Sequence, residues 1–349
     1  MKTWKSGLIG LGALAIVLLV ADLRMGGTLA GSPEPTGQSC GTVDLAGSAA
    51  ALQLDPERGI AYLALLERAR SGFAGGTVQL LDLNLPKPAP RAAMNFDPGS
   101  FRPADVSLLK IEGEPRRLFA ISTMPDGGQT VEIAAEAASG GFAPEATLRD
   151  PAFRNLTAIS ATGPRAFYVA NAPGAKDELA LPGRLDALLH RAPAKLLYFD
   201  GREAQVVLSD LRHVGGLARS PDGQRLYVAE TLAKSLRIYE PQPNGVVALR
   251  DTIPLGVNPG RVTVDADGVV WIAALPKLHA LRAHAGDPSR RVPTLVLRFD
   301  PRLPEEAVTP VYANDGQELS AGAVAGRWRD NLVIGALLDH KVLICRLNP

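Results

Sequence analysis

Six times along its length this chain repeats one pattern: an apolar strand, a tight turn, then a second strand centred on a large or branched side chain. The clearest copy is SPDGQRLYVAETLAKSLRIYE, residues 220–240. Ser-Pro-Asp-Gly is turn chemistry, with Pro fixing φ at the first corner and Gly supplying positive φ. Leu226 and Val228, then Leu236 and Ile238, alternate with other residues at the two-residue period of strands. The other copies lie at 52–64, 106–122, 156–171, 262–273 and 323–335. Their strand centres are Tyr62, Phe119, Tyr168, Tyr227, Trp271 and Val333, separated by 57, 49, 59, 44 and 62 residues. Further strand-like runs follow at 77–83, 195–200, 295–300 and 341–346. A multi-strand unit repeated at that spacing predicts a propeller, and six copies predict six blades. A β-sandwich does not repeat one pattern six times. The expected class is therefore all-β, a six-bladed β-propeller with an N-terminal hydrophobic segment. One stretch breaks the pattern. Within 174–194, Leu179, Leu181, Leu185, Leu188 and Leu189 line one helical face, which reads as a helical insertion between blades.

The ends carry separate information. Lys2 and Lys5 precede an apolar run, GLIGLGALAIVLLVA at 7–21, closed by Asp22 and Arg24. That is the layout of an export signal or short signal anchor. The run is shorter than a confident membrane span. Residues 1–30 are read as signal peptide or anchor, 31–41 as a Pro/Gly-rich linker and 42–349 as the propeller. Either form of the leader places the body outside the cytoplasm, membrane-anchored or periplasmic/extracellular. The two cysteines, Cys40 and Cys345, stand at the two ends of that body. An even count in an exported chain favours a disulfide over two buried thiols. A bridge would close a loop of about 300 residues, worth roughly 5–6 kcal/mol as an upper figure in the chain-entropy account.

Formal net charge is +1. No basic stripe with interleaved aromatics is present, so no nucleic acid is expected as partner. There is no nucleophile elbow, phosphate-cradling loop or dinucleotide fingerprint. Of the five histidines, only His279 and His284 fall near each other, five apart in what reads as a loop, without a third zinc ligand. His213, beside Gly215, is a candidate general base. Glu230, at a strand end, is a candidate buried carboxylate. His190 and His340 read as structural.

Three stretches carry a family likeness: 309–349, TPVYANDGQELSAGAVAGRWRDNLVIGALLDHKVLICRLNP; 220–245, SPDGQRLYVAETLAKSLRIYEPQPNG; and 259–273, PGRVTVDADGVVWIA. They resemble the last, fourth and fifth blades of the paraoxonase/arylesterase family. Cys40 and Cys345 match that family's cysteine pair, and the apolar leader is similar too. The likeness runs from residue 40 to 347. It implies a calcium-dependent hydrolase of lactones and aryl esters, with a catalytic calcium in the central tunnel held by Glu, Asn and Asp, a second, structural calcium, and a His pair above the first.

This sequence departs from the family at each of those tunnel positions. The family's Glu-Asp pair falls on Ala50-Ala51, its Asn-Asp on Thr157-Ala158, a turn Asn on Gly215 and an Asp-Asn on Gly260-Arg261. Its two His fall on Ala104 and Met124. Calcium needs several oxygens with net negative charge. Ala, Gly and Arg side chains offer none. No cofactor is therefore expected. The expected function is a small-molecule- or protein-binding propeller with Arg261, Thr157 and Gly215 at the mouth, Arg261 taking an anionic group or pairing with a nearby carboxylate. The alternative is an ester or lactone hydrolase with a rearranged site. The membrane enters as a partner only through the N-terminal segment.

Overall fold

The computed structural model describes residues 34–347, apart from 67–74, 95, 98, 139, 173–192, 288 and 304–307. The leader and residues 174–192 of the helical insertion expected at 174–194 lie outside the described residues, and Ala194 already belongs to a strand. Six four-stranded antiparallel sheets follow one another along the chain. Blade 1 holds β2 (Ser48–Asp55), β3 (Ile60–Leu66), β4 (Gly76–Asp82) and the two-residue β5 (Arg91–Ala92). Blade 2 holds β6 (Pro103–Leu109), β7 (Arg117–Thr123), β8 (Gln129–Glu136) and β9 (Phe142–Leu148). Blade 3 holds β10 (Leu156–Ala161), β11 (Phe167–Asn171), β12 (Ala194–Phe199) and β13 (Ala204–Leu211). Blade 4 holds β14 (Val214–Arg219), β15 (Leu226–Glu230), β16 (Ser235–Pro241) and β17 (Val247–Pro254). Blade 5 holds β18 (Asn258–Val264), β19 (Val270–Leu275), β20 (Thr294–Phe299) and β21 (Val308–Asn314). Blade 6 holds β22 (Gly322–Trp328), β23 (Asn331–Ala336), β24 (Lys341–Arg346) and, as its outermost strand, β1 (Cys40–Asp44) from the other end of the chain.

The β1–β24 pairing closes the ring, and Cys40 stands directly opposite Cys345, joined to it as a disulfide. The strand thus begins inside the stretch read as linker. The rest of that stretch is tied down as well: Gln38 Nε2 donates to Val311 O (2.6 Å) and Thr36 N to Ala313 O (3.2 Å), both on β21.

Each blade is covered on both sides by its neighbours. Its second strand therefore reads as a continuous apolar run rather than an alternation. In β3, Ala61–Leu65 are all buried. Six hydrophobic clusters fill the six interfaces between neighbouring blades, Leu118 and Val106 with Tyr62 between blades 1 and 2, for example. A polar contact stitches each interface. These are Arg116–Asp55 (2.8 Å), Ile159 N to Asp105 (2.9 Å), Thr157 Oγ1 to Val214 O (2.8 Å), Thr231 Oγ1 to Pro259 O (2.8 Å), Thr263 Oγ1 to Ala325 O (2.7 Å) and Trp328 Nε1 to Pro56 O (3.0 Å).

The first strands of the blades, β2, β6, β10, β14, β18 and β22, lie side by side around the central tunnel. The end where they begin is called the upper face, and the end where they finish the lower face. Among the described residues one helix, α1 (Ala280–Gly286), sits in the β19–β20 connection on the upper face. The sequence reading made that stretch a loop. Leu278, Ala280 and Leu281 pack against Leu275, Val292 and Ala321, and that apolar seat favours the helix. Among the described residues no helix is long and apolar enough to cross a membrane.

Candidate functional site at the upper mouth of the tunnel

Every inner strand is irregular where it starts. Register shifts against its partner fall at Ala49/Ala51, Pro103/Asp105, Leu156/Ala158, Val214/Gly216, Pro259/Val262 and Gly322/Val324. A bulge leaves its extra residue outside the ladder and re-aims it. The skipped residues are Ala50, Ala104, Thr157, Gly215, Gly260, Arg261 and Ala323. Five of the six bulges thus fall on positions that sequence comparison placed at the family's tunnel site.

Arg261 fills the ring. It leaves blade 5, and its Nε donates to Ala50 O of blade 1 (2.8 Å), its Nη2 to Ala104 O of blade 2 (2.5 Å) and its Nη1 to Thr157 O of blade 3 (2.9 Å). Nη1 also meets Asp105 Oδ2 at 3.0 Å. Blades 2 and 5 face each other across a six-membered ring, so the side chain spans the opening. Its side chain is 16% exposed. The carbonyls can face it because the bulges have released them from the sheet ladders. Among the described residues Asp105 supplies the carboxylate that pairs with it. Burial pushes its carboxyl above the usual range, against the pull of Arg261 and of the N–H groups of Ile159 and Val106. Sequence reasoning missed Asp105, although a lone acid opening the otherwise apolar run ADVSLL was there to be noticed.

The remaining candidates take other places. The Thr157 hydroxyl bonds Val214 O (2.8 Å) and Ala170 O (3.3 Å), so it is spent on joining blades 3 and 4. Gly215 and Gly216 lie where β14 almost touches β18. A Cβ on Gly216 would sit 2.6 Å from Val262 N and 2.7 Å from Arg261 Cα. His213 occupies the short β13–β14 connection at φ 54°, and burial pushes its imidazole below the usual value. Glu230 is fully buried, accepting Arg212 N (2.6 Å) on one oxygen and facing Arg237 Nε (2.5 Å) with the other. Met124 lies in the β7–β8 connection on the same face, its Sδ 3.9 Å from Thr130 Oγ1. The structure therefore brings together Arg261, Ala50, Ala104 and Thr157 around one charge, with Asp105. Among the described residues no three His, Cys, Asp or Glu side chains converge as a metal-binding group.

Comparison with known proteins agrees with this architecture. The Arylesterase family pattern matches residues 59–347. Human serum paraoxonase/arylesterase 1 is 29% identical over 282 residues, covering 78% of this chain and 77% of that protein. Human serum paraoxonase/arylesterase 2 is 28% identical over 278 residues, with the same coverage. Among solved structures, a putative gluconolactonase superposes with TM-score 0.55 over 90% of this chain and 93% of its own at 14% identity. A luciferin-regenerating enzyme does so with TM-score 0.55 over 89% and 95% at 13% identity. At such identities those two structures speak to the fold alone. The family match spans five and a half of the six blades, and with it this chain belongs to the arylesterase (paraoxonase) family.

Proposed function

We propose that this protein is a paraoxonase-type propeller that has exchanged the family's tunnel calcium for its own guanidinium, and that it works as a binding protein for a small molecule or protein partner rather than as a calcium-dependent hydrolase. One observation carries the reading: the Arg261 guanidinium lies across the tunnel, and the three main-chain oxygens and one carboxylate around it are turned onto it. Calcium takes six to eight oxygens, several of them anionic. Among the described residues one carboxylate faces this position, already paired with Arg261, and a divalent ion would share the mouth with a fixed positive charge. Those residues do not fit the ion. Asp105 also cancels the charge of Arg261, so the guanidinium offers a free anion little. That favours the second of the two roles considered for Arg261, a carboxylate-paired structural cation.

The Cys40–Cys345 disulfide and the lysine-flanked apolar leader support a place outside the cytoplasm for the body. The names of the relatives suggest the test, hydrolysis of an aryl ester such as phenyl acetate by the purified protein. We expect no turnover above the buffer rate, with or without added calcium. Calcium-dependent turnover abolished by chelator would return the protein to the hydrolases and end this reading.

A further inference from the structure

The tunnel has a second mouth. At the lower face the inner strands of blades 1 to 5 finish around a cavity of ≈ 650 Å³, within the size range of small-molecule sites. Leu54, Leu109, Leu217 and Val264 contribute apolar wall, and Arg219, the last residue of β14, lines it as well.

The charges at this mouth are unequally served. Asp55 is paired with Arg116 at 2.8 Å, and Glu57 with Arg116 (2.9 Å) and with Lys110. Asp265 accepts Trp271 Nε1 (2.9 Å) and Val269 N (3.0 Å) and meets Arg327 at 3.3 Å. Glu112 stands exposed at the rim. Arg219 differs. Among the described residues no carboxylate lies within 4.0 Å of it. Its Nη1 donates to Ala161 O (3.2 Å), its Nη2 makes a long contact with Gly223 O (3.5 Å), and among the described residues its buried Nε has no hydrogen-bond partner. The turn is shaped around it: Gly223 sits at φ 71°, and a Cβ there would overlap the guanidinium. Burial depresses its pKa, against the smaller opposing pulls of Tyr168, Tyr198 and Asp222. A guanidinium has five N–H donors in a planar fork suited to a carboxylate.

We propose that the lower mouth binds a small organic anion, a carboxylate with a short apolar body, and that Arg219 receives its charge while the leucine and valine walls take its body. A monoanion fits better than a phosphate, because Asp55, Glu57, Glu112 and Asp265 surround the same space and repel a second negative charge. This inference is independent of how the upper mouth is read.

The test is calorimetric titration of the purified protein with hexanoate, with hexan-1-ol and inorganic phosphate as comparison probes, run once with calcium and once with chelator. Hexanoate should bind one to one, and hexan-1-ol and phosphate each about tenfold or more weaker, as expected when a charge-assisted contact or the apolar contact is lost. Arg219→Gln should weaken hexanoate about tenfold or more, with Arg219→Lys between. No hexanoate binding up to about 10 mM, equal binding of hexanoate and hexan-1-ol, equal binding of phosphate, or unchanged affinity in Arg219→Gln would each overturn the proposal. The comparison of probes on the native protein carries the test even if a variant does not fold. A response to calcium alone bears on the upper mouth and leaves this result standing.

Discussion

Removing the Arg261 guanidinium strands a buried carboxylate and three carbonyls that have left their sheets. Breaking a buried ion pair from one side costs about 3–5 kcal/mol, so Arg261→Met should lower stability by that order in urea unfolding. The loss should depend on pH. Burial already raises Asp105 in the folded state. A carboxyl raised on folding adds stability below its unfolded value, about 3.9, and loses that contribution as pH rises through the folded value. Without Arg261 the upward push grows. The variant should therefore be hurt most at pH 7 and least near pH 4, and adding Asp105→Asn should restore part of the loss at pH 7. An equal loss at both pH values would separate Arg261 from Asp105. Arg261 was legible in the sequence as the residue at the tunnel mouth. Its partners were not, because three of them are main-chain oxygens, which every residue carries, and the fourth stands one position from a residue singled out for another reason.

The elements differ in how plainly they are written. Second strands such as β3 and β7 are buried on both faces, so their apolar runs stand out. Outer strands such as β9, β13 and β17 expose half or more of their side chains and leave no such pattern. The strand β1 was hidden by its linker-like composition, since CGTVD pairs through backbone and disulfide rather than through an apolar face. The bulges are equally silent as sequence, yet they set the site. Close approach of β14 to β18 depends on one of them. Gly216→Ala places a methyl against backbone atoms of Val262 and Arg261 that have no rotamer to change. We expect a loss of about 1–3 kcal/mol from overpacking, read as a lower urea midpoint at unchanged slope. A neutral outcome would show that the two strands can part without disturbing Arg261.

At the scale of the whole molecule the repeat spacing was enough to count the blades, and the cysteine positions were enough to bring the ends together. How the ring closes was not, because that depends on which strand the N-terminal segment joins. Closure has two parts, the β1–β24 ladder and the disulfide. Cys40→Ser with Cys345→Ser removes only the second. We expect a stability loss of up to about 5–6 kcal/mol with the far-ultraviolet spectrum kept, because the ladder remains. Unfolding of the double variant at 25 °C would mean that the ladder alone cannot hold the ring. The charge balance of the upper mouth belongs to the whole ring as well, since blades 1, 2, 3 and 5 all contribute to it. Its most direct test is a calorimetric titration of the purified protein with calcium, paired with melting in chelator. We expect no binding heat into the millimolar range and the same melting temperature with and without chelator. Stoichiometric calcium binding, with a melting temperature that falls when the ion is removed, would contradict this reading.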